Sequence, residues 1–240
     1  MKIIGIIPSR YGSTRFPGKP LVNIQGKPMI QRVYEQARQS HKLHDVIIAT
    51  DDARIAEAAR LFGATVLLTS DKHQNGTERC AEAATQYGHS DAVVNIQGDE
   101  PFIHPEQIDA VATLLENGAS IATLVKRLDS FKDFLSPNVV KAVLNHKKEA
   151  LLFSRSPIPF IRDEFTHDYF AQNIFYKHIG IYGFKTETLI QLSQLPFSKL
   201  EEAEKLEQLR WLEHGFVIQT AETIYESIAI DVPSDLLKVN

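Results

Sequence analysis

The residues with the clearest chemical potential lie in one short segment, Pro8-Ser9-Arg10-Tyr11-Gly12-Ser13-Thr14-Arg15-Phe16-Pro17-Gly18-Lys19-Pro20. Arg10, Arg15 and Lys19 are three long cations, Ser13 and Thr14 add hydroxyl donors, and Gly12 and Gly18 let backbone N–H groups approach an anion. That donor set suits a polyphosphate, each charge-assisted hydrogen bond contributing about 1.5–3 kcal/mol. Two common phosphate loops are excluded. A P-loop has four residues between its glycines and Ser or Thr after its lysine, whereas five separate Gly12 from Gly18 and Pro20 follows Lys19. The G-x-G-x-x-G of dinucleotide-binding folds is missing from this segment too. The segment belongs to a wider asymmetry: Lys2, Arg10, Arg15, Lys19, Lys27 and Arg32 all precede the first acidic residue, Glu35.

Carboxylates come later in the chain. Asp99 sits in Asn95-Ile96-Gln97-Gly98-Asp99-Glu100-Pro101, and Asp231 follows the apolar Ile228-Ala229-Ile230. A carboxylate facing a triphosphate repels it unless a divalent cation lies between, and Mg²⁺ takes one or two carboxylates together with phosphate oxygens. Asp231-Val232-Pro233 alone is equally an ordinary turn or helix cap, so its role as a ligand rests on pairing with Asp99. His41 and His44 stand three apart with no cysteine partner, which gives no zinc signature.

The elements that must position these groups follow from periodicity. Ile3–Ile7, Val46–Thr50, Thr65–Thr69 and Ala92–Ile96 are short apolar or β-branched runs that predict strands. Between them, Ile30, Val33 and Ala37, and then Ile55, Ala58, Ala59 and Phe62, recur at helical spacing, with Asp51 or Asp52 placed to cap the second helix. Gly76-Thr77 opens a third helix and Pro105–Glu116 makes a fourth. Alternating strands and helices imply an α/β fold with a doubly wound, mostly parallel sheet, whose strand ends put the first loop and Asp99 at one edge. Beyond residue 118 the pattern loosens: strands are expected at Ala119–Val125, Val139–Leu144 and His178–Phe184, a helix over Lys199–Gly215 with a Glu201–Lys205 pair, and a strand at Phe216–Thr220. Ser154-Arg155-Ser156-Pro157-Ile158-Pro159 cannot be regular helix. No linker divides the chain, so one domain with a substrate-side insertion is expected.

Composition sets the outer limits. With 26 Lys+Arg against 30 Asp+Glu the net charge is −4, without the basic excess of a nucleic-acid binder. Hydrophobic residues at 43% and charged at 23% exclude a disordered chain, and the single Cys80 excludes an intrachain disulfide. The Ile3–Ile7 run is too short for a signal-peptide core, and no stretch approaches the roughly 20 apolar residues of a membrane span. A cytoplasmic protein is expected.

Six ordered motifs sharpen this reading. They are Arg10–Pro20, Asn75-Gly76-Thr77-Glu78-Arg79, Asn95–Pro101, Phe153-Ser154-Arg155-Ser156, Lys177-His178-Ile179-Gly180-Ile181-Tyr182 and Glu204-Lys205-Leu206-Glu207-Gln208-Leu209-Arg210. In this order they resemble the 3-deoxy-manno-octulosonate (Kdo) cytidylyltransferases, across nearly the whole chain. The resemblance implies a Rossmann-like nucleotidyltransferase fold with a mixed-sheet insertion, residues 1–240 forming one domain. About 1–118 would bind CTP, and about 119–240 would bind the sugar and make a homodimer. It implies transfer of CMP from CTP to the anomeric hydroxyl of Kdo for lipopolysaccharide assembly, with Mg²⁺ as cofactor and neither nucleic acid nor membrane as partner.

Residue by residue, the resemblance makes Arg10, Ser13, Arg15 and Lys19 the triphosphate cradle, Lys19 also stabilising the transition state. Asp99 and Asp231 become the Mg²⁺ ligands, Gly76 and Arg79 the cytosine-reading pair, and Arg155 the partner of the sugar carboxylate. Gln97, His178, Tyr182, Glu207 and Gln208 match positions that hold sugar hydroxyls. From the residues alone, His178 reads as a satisfied core histidine and Glu207-Gln208 as a solvated helix face. The chain departs from the family at Asp231-Val232-Pro233-Ser234-Asp235-Leu236, where Asp-Thr-Pro-Glu-Asp-Leu is usual, and at Asn75, where Ser is common. Loss of the Thr hydroxyl is expected to weaken the support of Asp231. The alternatives are the same reaction on 8-amino-Kdo or another acidic sugar, and a non-catalytic nucleotide-binding module. A sialic-acid enzyme is disfavoured because the first loop lacks Gly-Gly-Ser-Lys.

Overall fold

The strand and helix alternation is present in the computed structural model, which describes residues 1–12, 16–162, 167–226 and 228–239. In chain order the strands are β1 (Ile3–Ser9), β2 (Asn23–Ile24), β3 (Lys27–Pro28), β4 (Asp45–Thr50), β5 (Thr65–Leu68), β6 (Ala92–Asn95), β7 (Ile121–Arg127), β8 (Lys141–Leu144), β9 (Ala150–Ser154), β10 (Tyr176–Lys185) and β11 (Gln219–Glu222). The helices are α1 (Met29–Ala37), α2 (Ala53–Leu61), α3 (Gly76–Tyr87), α4 (Pro105–Glu116), α5 (Phe131–Leu135), α6 (His167–Gln172), α7 (Thr186–Leu192), α8 (Lys199–Glu204) and α9 (Glu207–Glu213).

Among the described residues the main sheet runs β11-β7-β10-β6-β1-β4-β5, with β8 and β9 branching from β10. The pairs β1–β4, β1–β6, β4–β5 and β7–β11 are parallel, while β10 runs antiparallel to β6, β7 and β8. Alternation along β1 sends Ile3 and Ile7 into one buried layer and Ile4 and Ile6 into the other, so helices must cover both faces. The first layer packs under α1, α2 and α4, and the second under α3, α7 and α9. The order doubles back at β1, whose neighbours are β6 on one side and β4 on the other, and the crevice at such a reversal is where ligands bind. Close packing of the antiparallel strand needs Gly183: a Cβ there would lie 2.5 Å from Val111 Cγ1. Among the described residues no helix is long and apolar enough to cross a membrane.

The second half departs from the expected pattern. The helix expected over Lys199–Gly215 is two helices, because Lys205 adopts a left-handed conformation (φ 54°) and Leu206 is extended. Lys205 therefore leaves the expected pair with Glu201, and Glu201 lies 3.0 Å from Arg210 instead. The break lets Leu206, Leu209 and Trp211 reach the apolar layer while both charged residues are enclosed. The last strand starts at Gln219 rather than Phe216, since the Ile218 carbonyl accepts from Ala150 N (2.9 Å) at the start of β9. β9 itself, the small β2–β3 hairpin and the short helices α5, α6 and α7 lie outside the sequence reading.

Candidate active site

The ends of β1 and β6 meet in a cavity of about 230 Å³ lined by Pro8, Ser9, Arg10, Lys19, Gly76, Arg79, Gln97, Gly98, Asp99 and Asp231 among others. Two glycines make the approach possible. A Cβ on Gly98 would lie 2.9 Å from the Pro8 carbonyl oxygen and 3.0 Å from Ser9 Oγ. Gly18 has φ 72°, a left-handed backbone that closes the first loop through Gly18 N to Tyr11 O (3.0 Å) and starts a 3₁₀ turn at Lys19. The Tyr11 ring packs over Gly18 and carries the Arg54 guanidinium 3.3 Å from its centroid, tying the loop to α2.

The turn aims Lys19 Nζ between two carboxylates, 2.8 Å from Asp99 Oδ2 and 3.5 Å from Asp231 Oδ1. Residues 132 positions apart in sequence thus converge on one cation, which fits hard oxygen donors for a divalent ion at the same place. Asp231 is held from both sides. Ile230 N donates to the Asp99 carbonyl (2.9 Å), and Asp235 Oδ2 accepts from the backbone N–H groups of Asp231 (2.9 Å) and Val232 (3.0 Å). Ile230 is buried with Ile24, Met29 and Val239. Asp235 thus supplies a support for which the sequence had suggested a loss.

The cavity's other wall is the start of α3. Asn75 caps it by accepting from Glu78 N (2.8 Å), so Asn serves where Ser is usual. The positive end of the helix faces the cavity through Gly76. Arg79 is 3% exposed, donates to Thr69 Oγ1 (2.6 Å) and lies 3.5 Å from Asp51. Arg10 and Gln97 also line the cavity, whereas Ser13 and Arg15 lie outside the described residues.

The remaining candidates gather behind that wall rather than in the cavity. The His178 and Tyr182 rings are 5.2 Å apart, and His178 shares a hydrogen bond with Thr123 Oγ1 (2.9 Å). Surrounding protein desolvates the imidazole and drives its pKa down to about 3, so it is neutral. Tyr182 is buried against Trp211, with its phenol pKa raised by burial and by Glu207. Burial also raises Glu207 to about 7, against the pull of the Thr77 hydroxyl and Arg210. Gln208 is 5% exposed and Glu207 is half-buried with its carboxylate on Thr77 and Arg210, so the pair is not a freely solvated face. Arg155 is directed elsewhere: Nε donates to the Glu204 carbonyl (2.7 Å) and Nη1 to that of Pro137 (3.1 Å). The buried Lys141 ammonium bonds the Arg155 carbonyl, fixing the same turn.

Sequence reasoning passed over Ser9, His73, Gln74 and Thr77. Ser9 and Thr77 lie inside the quoted segments and His73 and Gln74 just before one, but nothing in a lone Ser or Thr tells which way it points.

Comparison with known proteins bears on this arrangement. The Cytidylyltransferase family matches residues 4–225. The 3-deoxy-manno-octulosonate cytidylyltransferase of Parabacteroides distasonis is 53% identical over 99% of this chain and 96% of its own. That of Cytophaga hutchinsonii is 46% identical over 100% and 96%. The chain belongs to the 3-deoxy-manno-octulosonate cytidylyltransferase family. A solved CMP:2-keto-3-deoxy-manno-octonic acid synthetase, complexed with CTP, superposes with TM-score 0.92 at 40% identity, over 100% of this chain and 97% of that one. The expected α/β nucleotidyltransferase fold is therefore the fold of this family. A 4-diphosphocytidyl-2C-methyl-D-erythritol synthase from Anaerococcus prevotii, 10% identical with TM-score 0.64 over 100% of this chain and 96% of its own, shares the fold alone.

Proposed function

We propose that the protein transfers CMP from CTP to the anomeric hydroxyl of Kdo, releasing pyrophosphate and forming CMP-Kdo for lipopolysaccharide assembly in the cytoplasm. The observation that carries this reading is the convergence of Lys19, Asp99 and Asp231 at the base of a cation-lined cavity. Arg10, Ser13, Arg15 and Lys19 hold the triphosphate, and Gly76 and Arg79 take the cytosine, one by close backbone approach and the other by directed donors. Lys19 stabilises charge that builds on the phosphate as the sugar oxygen attacks the α-phosphorus in line and pyrophosphate leaves. Asp99 and Asp231 would hold Mg²⁺. When bound, that ion supplies charge neutralisation at the α-phosphate and acidification of the attacking hydroxyl.

The sugar side uses Arg155 for the carboxylate and Gln97, His178, Tyr182, Glu207 and Gln208 for the hydroxyls. Arg155 bonds two backbone carbonyls through Nε and Nη1, which leaves the Nη2 donors for the sugar carboxylate. We read residues 1–240 as one nucleotidyltransferase domain, about 1–118 serving CTP and about 119–240 serving the sugar and a homodimer contact. Exposed Leu151, Leu152 and Phe160 in the second part supply apolar surface for that contact. Presence of both Asp99 and Asp231 argues against a non-catalytic module.

The test is the rate of CMP-sugar formation from CTP with Kdo, 8-amino-Kdo and a sialic acid in parallel. Kdo is expected to be used best. A large preference for the amino sugar would overturn the substrate assignment, and no product from any of them would overturn the enzymatic reading.

A further inference from the structure

We propose that Thr77 is a positioning residue, its buried hydroxyl holding the Glu207 carboxylate in place for the sugar and tying that carboxylate to the nucleotide-reading segment. The inference rests on the reading of Glu207 as a sugar-binding residue. Thr77 follows Gly76 in the first turn of α3 and is 3% exposed. Its Oγ1 donates to Glu207 Oε2 (3.0 Å), across 130 residues of sequence. The other carboxylate oxygen accepts from Arg210 Nη2 (3.1 Å). Glu207 opens α9 directly after the left-handed Lys205 and extended Leu206, so its backbone sits at the break while its side chain is pinned from two elements.

This hydrogen bond crosses from the CTP wall to the sugar side. One face of the start of α3 lines the nucleotide cavity at Asn75, Gly76 and Arg79, and Thr77, between them, points the other way. Nucleotide that settles against Gly76 and Arg79 therefore braces the donor that orients Glu207. The groups facing the carboxylate are Arg210 on its own helix, Glu201 on α8, Glu78 and the Cys80 thiol on α3, and the Tyr182 hydroxyl on β10. Arg210 and Thr77 favour the ionised form, while Glu201, Glu78 and burial oppose it. Deleting the hydroxyl leaves Arg210 as the one group in that set that favours the ionised form.

The experiment compares wild type, Thr77→Val, Thr77→Ser and Glu207→Gln by KM for Kdo, KM for CTP and the pH profile of kcat/KM for Kdo. Val keeps the shape of Thr, and a thermal melt checks that the fold survives. Loss of one hydrogen bond to a charged group is expected to raise KM for Kdo about tenfold in Thr77→Val and to move the acid limb of the profile up by about one pH unit. KM for CTP should stay within about twofold, and Thr77→Ser, which keeps the hydroxyl, should restore both sugar-side values. If Glu207→Gln impairs use of Kdo but Thr77→Val leaves KM and the acid limb unchanged, the positioning role is wrong while the sugar reading stands. If Glu207→Gln leaves Kdo kinetics intact, the sugar reading of Glu207 fails and the inference falls with it. Failure of Thr77→Ser to restore the profile would make Thr77 a packing residue only.

Discussion

Gly98→Ala tests whether contact between the ends of β1 and β6 builds the site. Gly98 is outside the left-handed region, so alanine carries no backbone penalty there and the effect is steric. The new Cβ would lie 2.9 Å from the Pro8 carbonyl oxygen, which is backbone and cannot rotate away, and 3.0 Å from Ser9 Oγ. Ordinary contact starts at 3.4 Å, so the two strand ends must part by about 0.5 Å. Overpacking of this kind costs about 1–3 kcal/mol, or roughly 2–12 °C in Tm for a chain of this size. The same shift moves Asp99 relative to Arg10 and Lys19. A 1 Å misplacement can cost about a hundredfold in rate, so half of that should lower kcat/KM about tenfold. Differential scanning fluorimetry and steady-state kinetics read the two effects. Unchanged Tm would mean that the strand ends do not touch as described, and a lower Tm with unchanged kcat/KM would mean that their contact does not set the site geometry.

Two further predictions concern the buried charges behind the cavity. Glu207 titrates at about 7 in the folded chain against the usual 4.5. Since the folded state holds the proton more tightly, the cost of ionising it is absent below about pH 4.5, grows between 4.5 and 7 and is complete above 7. Glu207→Gln should therefore raise Tm relative to wild type at pH 8 and not at pH 4.5, and an equal difference at both would contradict the burial argument. Arg210 is 2% exposed, 3.0 Å from Glu201 and 3.1 Å from Glu207, with Nε poorly aligned for a true hydrogen bond to Glu201. Arg210→Met leaves two carboxylates without their cation and should cost about 3–5 kcal/mol in urea unfolding at pH 8. The loss should shrink near pH 5, where Glu207 is protonated, and a pH-independent loss would assign Arg210 a packing role instead.

How much of this was legible in the sequence varies along the chain for physical reasons. Up to residue 118, apart from the β2–β3 hairpin, the elements carry their own periodicity, so the expected aspartate caps α2 as Asp52, Gly76 opens α3, and Pro105–Glu116 agrees end to end with α4. Burial on both faces of a parallel sheet also leaves short, nearly pure apolar strands that are easy to read. Beyond that point structure depends on contacts distant in sequence. Nothing local reveals that Lys205 will turn left-handed; the turn accompanies enclosure of Arg210 with Glu201 and Glu207, partners that only the tertiary fold brings together. The pairing of Asp99 with Asp231 follows from charge logic, whereas their ion pairs with Lys19, the support from Asp235 and the Ile230 to Asp99 backbone bond depend on tertiary placement. Thr77 stayed hidden for the same reason, since its partner lies on α9.

Pyrophosphate release on mixing the protein with CTP, Kdo and Mg²⁺, followed continuously, tests the central claim most directly. Release should need all three additions and disappear in an Asp99→Asn variant that melts like the wild type. No release at saturating substrates, or equal release without Kdo, would contradict it.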